Sequence, residues 1–191
     1  MPPEVARKDR AATVNVEDGN GKEEYLRLFY ALWPDAKTRN ALTRWQQSVR
    51  GRKVPAHNLH ITLAFLGNQP AGLLPALKDV LEGLPVSRMQ LNLDQFGYFE
   101  KNRITWAGMS IITPELTELH AILNANLKHL GIRYDERKRF TPHITLARDA
   151  HRPDTGQPAP IIWKANHIAL VLSPMDGKPY RLLASRRAIA E

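Results

Sequence analysis

Histidine and threonine recur in this chain in a pattern that suits proton transfer at a phosphoryl group. The tetrapeptide His60-Ile61-Thr62-Leu63 returns, letter for letter, as His143-Ile144-Thr145-Leu146, 83 positions later. Each copy lies in an apolar run, residues 59–66 and 140–147, that reads as a β-strand. Strand side chains alternate between faces, so His and Thr at i and i+2 point the same way, and the Ile and Leu between them point into a core. Two such strands facing each other would gather two imidazoles and two hydroxyls around one small site. Imidazole titrates near neutrality, so one ring can take a proton while the other gives one. The hydroxyls suit the non-bridging oxygens of a phosphate. Identical motifs leave open which ring is the acid and which the base.

A lone strand histidine is more often structural, and threonine is a common strand former. The repeated pairing at a fixed offset is what favours chemistry. His57 and His60 are three residues apart and face opposite sides of a strand, so they do not share an ion, and no acidic cluster accompanies either motif. No metal and no cofactor are expected. His120, His129, His151 and His167 show no partner pattern and are read as structural or exposed. There is no glycine loop of the nucleotide-binding kind.

The 191 residues suffice for one domain or two small lobes. At 43% apolar and 24% charged the chain has an ordinary globular composition. Without cysteine there is no disulfide, thiolate metal site or cysteine nucleophile. The apolar runs fall short of the roughly 20 residues that span a bilayer, and the N-terminus lacks the apolar stretch of a signal peptide. A cytoplasmic protein is expected. The net charge of +8 and a pI near 9.9 favour a polyanionic partner such as RNA over an acidic one. The positive residues are densest at 44–53, 133–139 and 181–187, the middle group running directly into the second motif.

These residues need strands to present them. Residues 1–22 are polar and are read as a disordered tail, leaving 23–191 as one two-lobed domain. Residues 25–33 read as a first strand. A helix with Asp35 as N-cap follows and stops near Gly51. The first motif strand ends at Gly67, and residues 70–82 read as a second helix. Strands at 89–94 and 104–109 precede a third helix at 114–130, with Gly131 behind it. After the second motif strand, the proline-rich stretch 149–160 reads as a loop, and 165–172 and 180–185 as a closing strand pair. The expected class is α+β: two antiparallel sheet lobes in a pseudo-twofold arrangement, helices outside, and a cleft between the sheets.

Three stretches carry a family resemblance. They are Arg27-Leu28-Phe29-Tyr30-Ala31-Leu32-Trp33-Pro34, Asn58-Leu59-His60-Ile61-Thr62-Leu63-Ala64-Phe65-Leu66-Gly67 and Arg139-Phe140-Thr141-Pro142-His143-Ile144-Thr145-Leu146-Ala147-Arg148. Together they resemble the two-histidine (2H) phosphoesterases, and within them the RNA 2′,3′-cyclic phosphodiesterases, historically called 2′-5′ RNA ligases. A weaker likeness continues through Leu170-Val171-Leu172-Ser173 and Tyr180, so it spans roughly residues 26–185. The ending Ala184-Ser185-Arg186-Arg187 departs from the apolar or Trp-containing ending of relatives.

The resemblance implies His60 as proton donor and His143 as proton acceptor, with Thr62, Thr145 and Arg148 binding phosphate. It implies hydrolysis of RNA 2′,3′-cyclic phosphate ends to 2′-phosphomonoesters, with 2′-5′ joining as the reverse, by a monomer that needs no metal. Arginine suits the role because a guanidinium grips phosphate with two bonds. The place matching Arg148 in the first motif is Phe65, so the two halves are chemically unequal there. Phe29 and Phe140 read as core packing rather than base stacking. Two other readings stay open: a non-catalytic RNA or nucleotide-binding module, and a cyclic phosphodiesterase acting on small nucleotides.

Overall fold

The protein is described by a computed structural model over residues 24–86, 88–132, 140–154, 156, 158–174 and 179–188. The N-terminal stretch 1–22, the basic segment 133–139 and the turn residues 175–177 lie outside the described residues. In chain order the elements are β1 (Tyr25–Leu32), α1 (Ala36–Gln47), β2 (Arg52–Lys53), β3 (Ile61–Pro70), α2 (Leu74–Gly83), β4 (Met89–Leu93), β5 (Gln95–Phe99), β6 (Ile104–Gly108), α3 (Pro114–His129), β7 (His143–Arg148), β8 (Ile161–Ala165), β9 (His167–Leu172) and β10 (Arg181–Arg187). This is the expected α+β class, with every strand pairing antiparallel. Among the described residues no helix is long and apolar enough to cross a membrane.

The main sheet runs β10-β9-β1-β3-β7-β6-β5, with β2 also on β7, and β4 and β8 form a separate pair. The two lobes are therefore not wholly separate sheets. They join where β3 meets β7, through the single couple Ile61↔Ile144. These are the middle letters of the two repeated motifs. In an antiparallel pairing the residues on either side of a couple face each other. Thr62 thus lies toward His143, and His60 toward Thr145. The sequence repeat is the trace of a local twofold about this couple, and the sheets splay apart beyond it to leave the cleft.

β1 is apolar on both faces because both are covered. Leu28, Tyr30 and Leu32 join the main core, while Phe29, Ala31 and Trp33 form a second small cluster with Ala169 and Val171. β3 runs past Gly67 rather than ending there. Gly67 adopts φ +68°, and the β1–β3 register slips between Leu28 and Phe29, so this glycine forms a bulge.

The helices follow their caps. Asp35 accepts from the Thr38 N–H at 2.7 Å, as expected of an N-cap. α1 ends at Gln47, four residues before Gly51. That glycine serves another purpose: a Cβ there would lie 2.7 Å from Ala150 Cα, so it permits a close backbone approach. α3 starts from Thr113 and Pro114 and closes with Gly131 at φ +68°. The departing C-terminal ending has a structural use. Arg186 donates to Glu82 O and Leu84 O, carbonyls at the end of α2.

Candidate active site

His60 immediately precedes β3, and His143 is the first residue of β7. Each ring is fixed in the same way. His60 Nδ1 lies 2.7 Å from Asn58 O, and His143 Nδ1 lies 2.8 Å from Thr141 O. A carbonyl only accepts, so Nδ1 carries the proton in both rings and donates to the carbonyl two residues upstream. Nε2 is then the working nitrogen of each: a base when the ring is neutral, an acid when it is charged. His60 Nε2 is 3.1 Å from Thr62 Oγ1, so the hydroxyl donates to the neutral ring. Among the described residues, none makes a hydrogen bond to His143 Nε2.

Aromatic side chains wall both imidazoles. Phe29 stacks on His60 at 4.8 Å, Trp33 lies nearly parallel to it at 5.5 Å, and Tyr180 meets it edge-on at 5.6 Å. Phe99 meets His143 edge-on at 4.9 Å, with Trp106 tilted beside it at 6.0 Å. The walls have a titration consequence. Burial pushes the His60 imidazolium down to about 4, with His143 and Arg148 adding like-charge repulsion and the Asn58 carbonyl pulling partly back. His143 is lowered by burial too, and further by Arg148, against the pull of the Thr141 carbonyl.

All five residues singled out in the sequence line one cavity of about 590 Å³: His60, Thr62, His143, Thr145 and Arg148. Arg27, Arg52, Lys53, Phe65 and Tyr180 also line it, and no carboxylate does among the described residues. Arg52 and Lys53 come from the basic segment 44–53, Phe65 from the flank of the first motif, and Arg27 and Tyr180 from the stretches that carry the family resemblance. Phe65 is 45% exposed and sits under the Arg27 guanidinium, 5.0 Å away. Phe29 is buried and serves as a seat for His60, while Phe140 stacks on His120 at 3.7 Å. A basic cleft with two oriented imidazoles has the chemistry to bind an anion and exchange protons with it. Among the described residues it offers no set of acidic ligands for a metal.

Paired histidine–threonine strands on this α+β scaffold define a two-histidine phosphoesterase. Residues 33–174 match the family model described as the 2′-5′ RNA ligase superfamily, and the chain belongs to that superfamily. It is 33% identical over 144 residues to an Escherichia coli protein named RNA 2′,3′-cyclic phosphodiesterase, covering 73% of this chain and 81% of that one. A Thermus thermophilus protein of the same name is 32% identical over 172 residues, covering 80% and 84%. The crystal structure of E. coli LigT complexed with 3′-AMP superposes with a TM-score of 0.75 at 30% identity, covering 86% of this chain and 98% of that one.

Proposed function

We propose that the protein hydrolyses RNA ending in a 2′,3′-cyclic phosphate to a 2′-phosphomonoester. The observation that carries this reading is the matched orientation of the two rings: Nδ1 of each is held on the carbonyl two residues upstream, leaving two Nε2 atoms for one basic cleft. Relatives named RNA 2′,3′-cyclic phosphodiesterase support the substrate class.

In this mechanism neutral His143 takes a proton from water through Nε2 as the water oxygen attacks phosphorus. The P–O3′ bond breaks, and protonated His60 gives its Nε2 proton to O3′. The phosphate stays on O2′. Thr62, Thr145 and Arg148 hold the non-bridging oxygens, where charge gathers in the transition state. His60 at about 4 is neutral in the free protein at pH 7. The bound phosphate supplies the negative charge that favours imidazolium, so the acid is loaded with the substrate. Once His60 Nε2 bears a proton, it no longer accepts from Thr62, and the hydroxyl turns to phosphate. With the 5′-hydroxyl of a second strand in place of water, the same groups in the same roles join ends through a 2′-5′ bond: His143 takes the 5′-hydroxyl proton, O5′ attacks phosphorus, and His60 protonates the departing O3′. The protein acts as a monomer in the cytoplasm; five site residues on one chain and the absence of cysteine support this.

The test is incubation with an oligonucleotide bearing a 2′,3′-cyclic phosphate, in excess chelator, with the product phosphate located by phosphorus NMR. A 2′-phosphate is expected. A 3′-phosphate, or no turnover of any cyclic phosphate, overturns the reading.

A further inference from the structure

Beyond the cleft, three backbone segments lie side by side and carry a run of positive charge. β2 pairs with β7, Arg52 opposite Arg148 and Lys53 opposite Ala147. The pairing continues outward as His151 N–H donates to Arg50 O. On the other side Ala150 N–H donates to Arg103 O at 2.8 Å. Residues 50–53, 148–152 and 103–105 thus form one rim, with Arg50, Arg52, Lys53, Arg103 and Arg148 all exposed along it. Two acids share the rim, and each is engaged: Asp149 with Arg52 at 3.2 Å, and Glu100 with Arg152.

This arrangement works against the fold. Like charges directly opposite each other in a strand pair destabilise it, and Arg52 faces Arg148. Three residues of the rim nonetheless adopt positive φ: Gly51, Arg103 and Asp149, the last at φ 49°. Gly51, at φ +131°, is the residue whose missing Cβ lets 50–53 approach Ala150. Arg103 itself sits at φ 50°, a left-handed conformation uncommon outside glycine, asparagine and aspartate. Arg52, Lys53 and Arg148 line the cleft, whereas Arg50 and Arg103 do not. The charge therefore continues beyond the residues that line the phosphate site.

We propose that this rim is the track for the RNA strand leading up to the cyclic end, so that the preferred substrate is an oligonucleotide rather than a mononucleotide. The proposal rests on the cyclic-phosphate reading above. Its recognition chemistry is repeated phosphodiester charge, met by side chains and independent of base sequence.

The test uses the full chain and two substrates, cytidine 2′,3′-cyclic phosphate and a ten-nucleotide RNA with the same end, across a salt series. Wild type is expected to show a steep salt dependence for the oligonucleotide only. Arg50→Gln combined with Arg103→Asn, asparagine being tolerated in the left-handed region, removes two contacts outside the cleft. The oligonucleotide kcat/KM should fall about tenfold and its logarithmic salt slope by roughly 1.4, at ~0.7 per phosphate contact. The mononucleotide should be turned over as before. Unchanged oligonucleotide kcat/KM and slope in the variant overturn the track. Equal loss for both substrates also overturns it, since the effect would then lie in the cleft. If wild type turns over neither substrate, the cyclic-phosphate reading fails, and anisotropy with a fluorescent 3′-phosphorylated RNA still decides the track. Tighter binding by wild type than by the variant supports it, and equal binding refutes it.

Discussion

Replacing Gly97 with alanine should cut turnover about a hundredfold without altering any residue that lines the cleft, because displacing a positioned group by about 1 Å has that effect on rate. Gly97 on β5 lies directly opposite Trp106 on β6, and Trp106 lies opposite Thr145 on β7. A Cβ at Gly97 would be 1.9 Å from Trp106 Cζ2 and 2.2 Å from Cε2. Real contacts are not shorter than 3.0 Å, so the indole must shift by about 1 Å or leave. Its other edge lies over Gly108, where a Cβ would stand 2.4 Å from Cζ3. The ring is seated between two glycines, and the imidazole it flanks, 6.0 Å away, is His143. Moving the wall frees the base from its set angle toward the attacking water. Overpacking of this kind destabilises by about 1–3 kcal/mol, which lowers the melting temperature by roughly 2–4 °C for each kcal/mol in a chain of this size. The assay is kcat and KM on a cyclic-ended oligonucleotide, with a thermal melt and circular dichroism alongside. Gly72→Ala is the control, since a Cβ there meets nothing within 4 Å. A folded Gly97→Ala protein with wild-type kcat would refute the claim that this wall positions His143.

The lowered histidines give kcat/KM its pH dependence. Both free-protein values lie below the usual 6.5, so the bell-shaped profile should peak on the acid side of neutrality. The kcat profile should sit at higher pH, because bound phosphate raises both groups; a kcat/KM maximum above pH 7 contradicts this. The same depression acts on stability. The unfolded chain binds protons on these histidines below pH 6.5 while folded His60 resists until about 4, so stability falls as pH drops through that window. Denaturant melts from pH 7 to 4 should show it, and phosphate should restore the loss. Arg148→Ala should weaken phosphate binding by roughly 10- to 100-fold, the range for a charge-assisted hydrogen bond. It should also raise both histidine values in an NMR titration, since Arg148 depresses each. Turnover should survive chelation, because the described cleft lining is basic and has no carboxylate to hold a cation; loss of activity restored by added metal would refute this.

The catalytic candidates were legible because the motif states its own geometry. A repeated His-x-Thr needs only strand alternation to predict a shared face, and one cavity does contain both pairs and Arg148. Helices were legible through their caps, Asp35 and Thr113 among them. Some strands were hidden by local chemistry. β5 is half-buried on both faces and contains Gly97, so its alternation is faint. β8 does alternate, Ile161, Trp163 and Ala165 inward, but the prolines before it blur its start, and the apolar run 165–172 reads Ala165 into the next strand. β2, at two residues, is too short for any period. The rim charge escaped because it is non-local: Arg50, Arg103 and Arg148 become neighbours only through pairings between distant segments.

The central claim is that His60 and His143 act as one acid–base pair, and single-turnover hydrolysis by the two alanine variants tests it most directly. With circular dichroism confirming the fold, His60→Ala and His143→Ala should each lose on the order of 10²–10⁴ in rate. The double variant should be far less than multiplicatively worse, as groups working as a unit are non-additive. Near-wild-type turnover by either folded single variant would contradict the account.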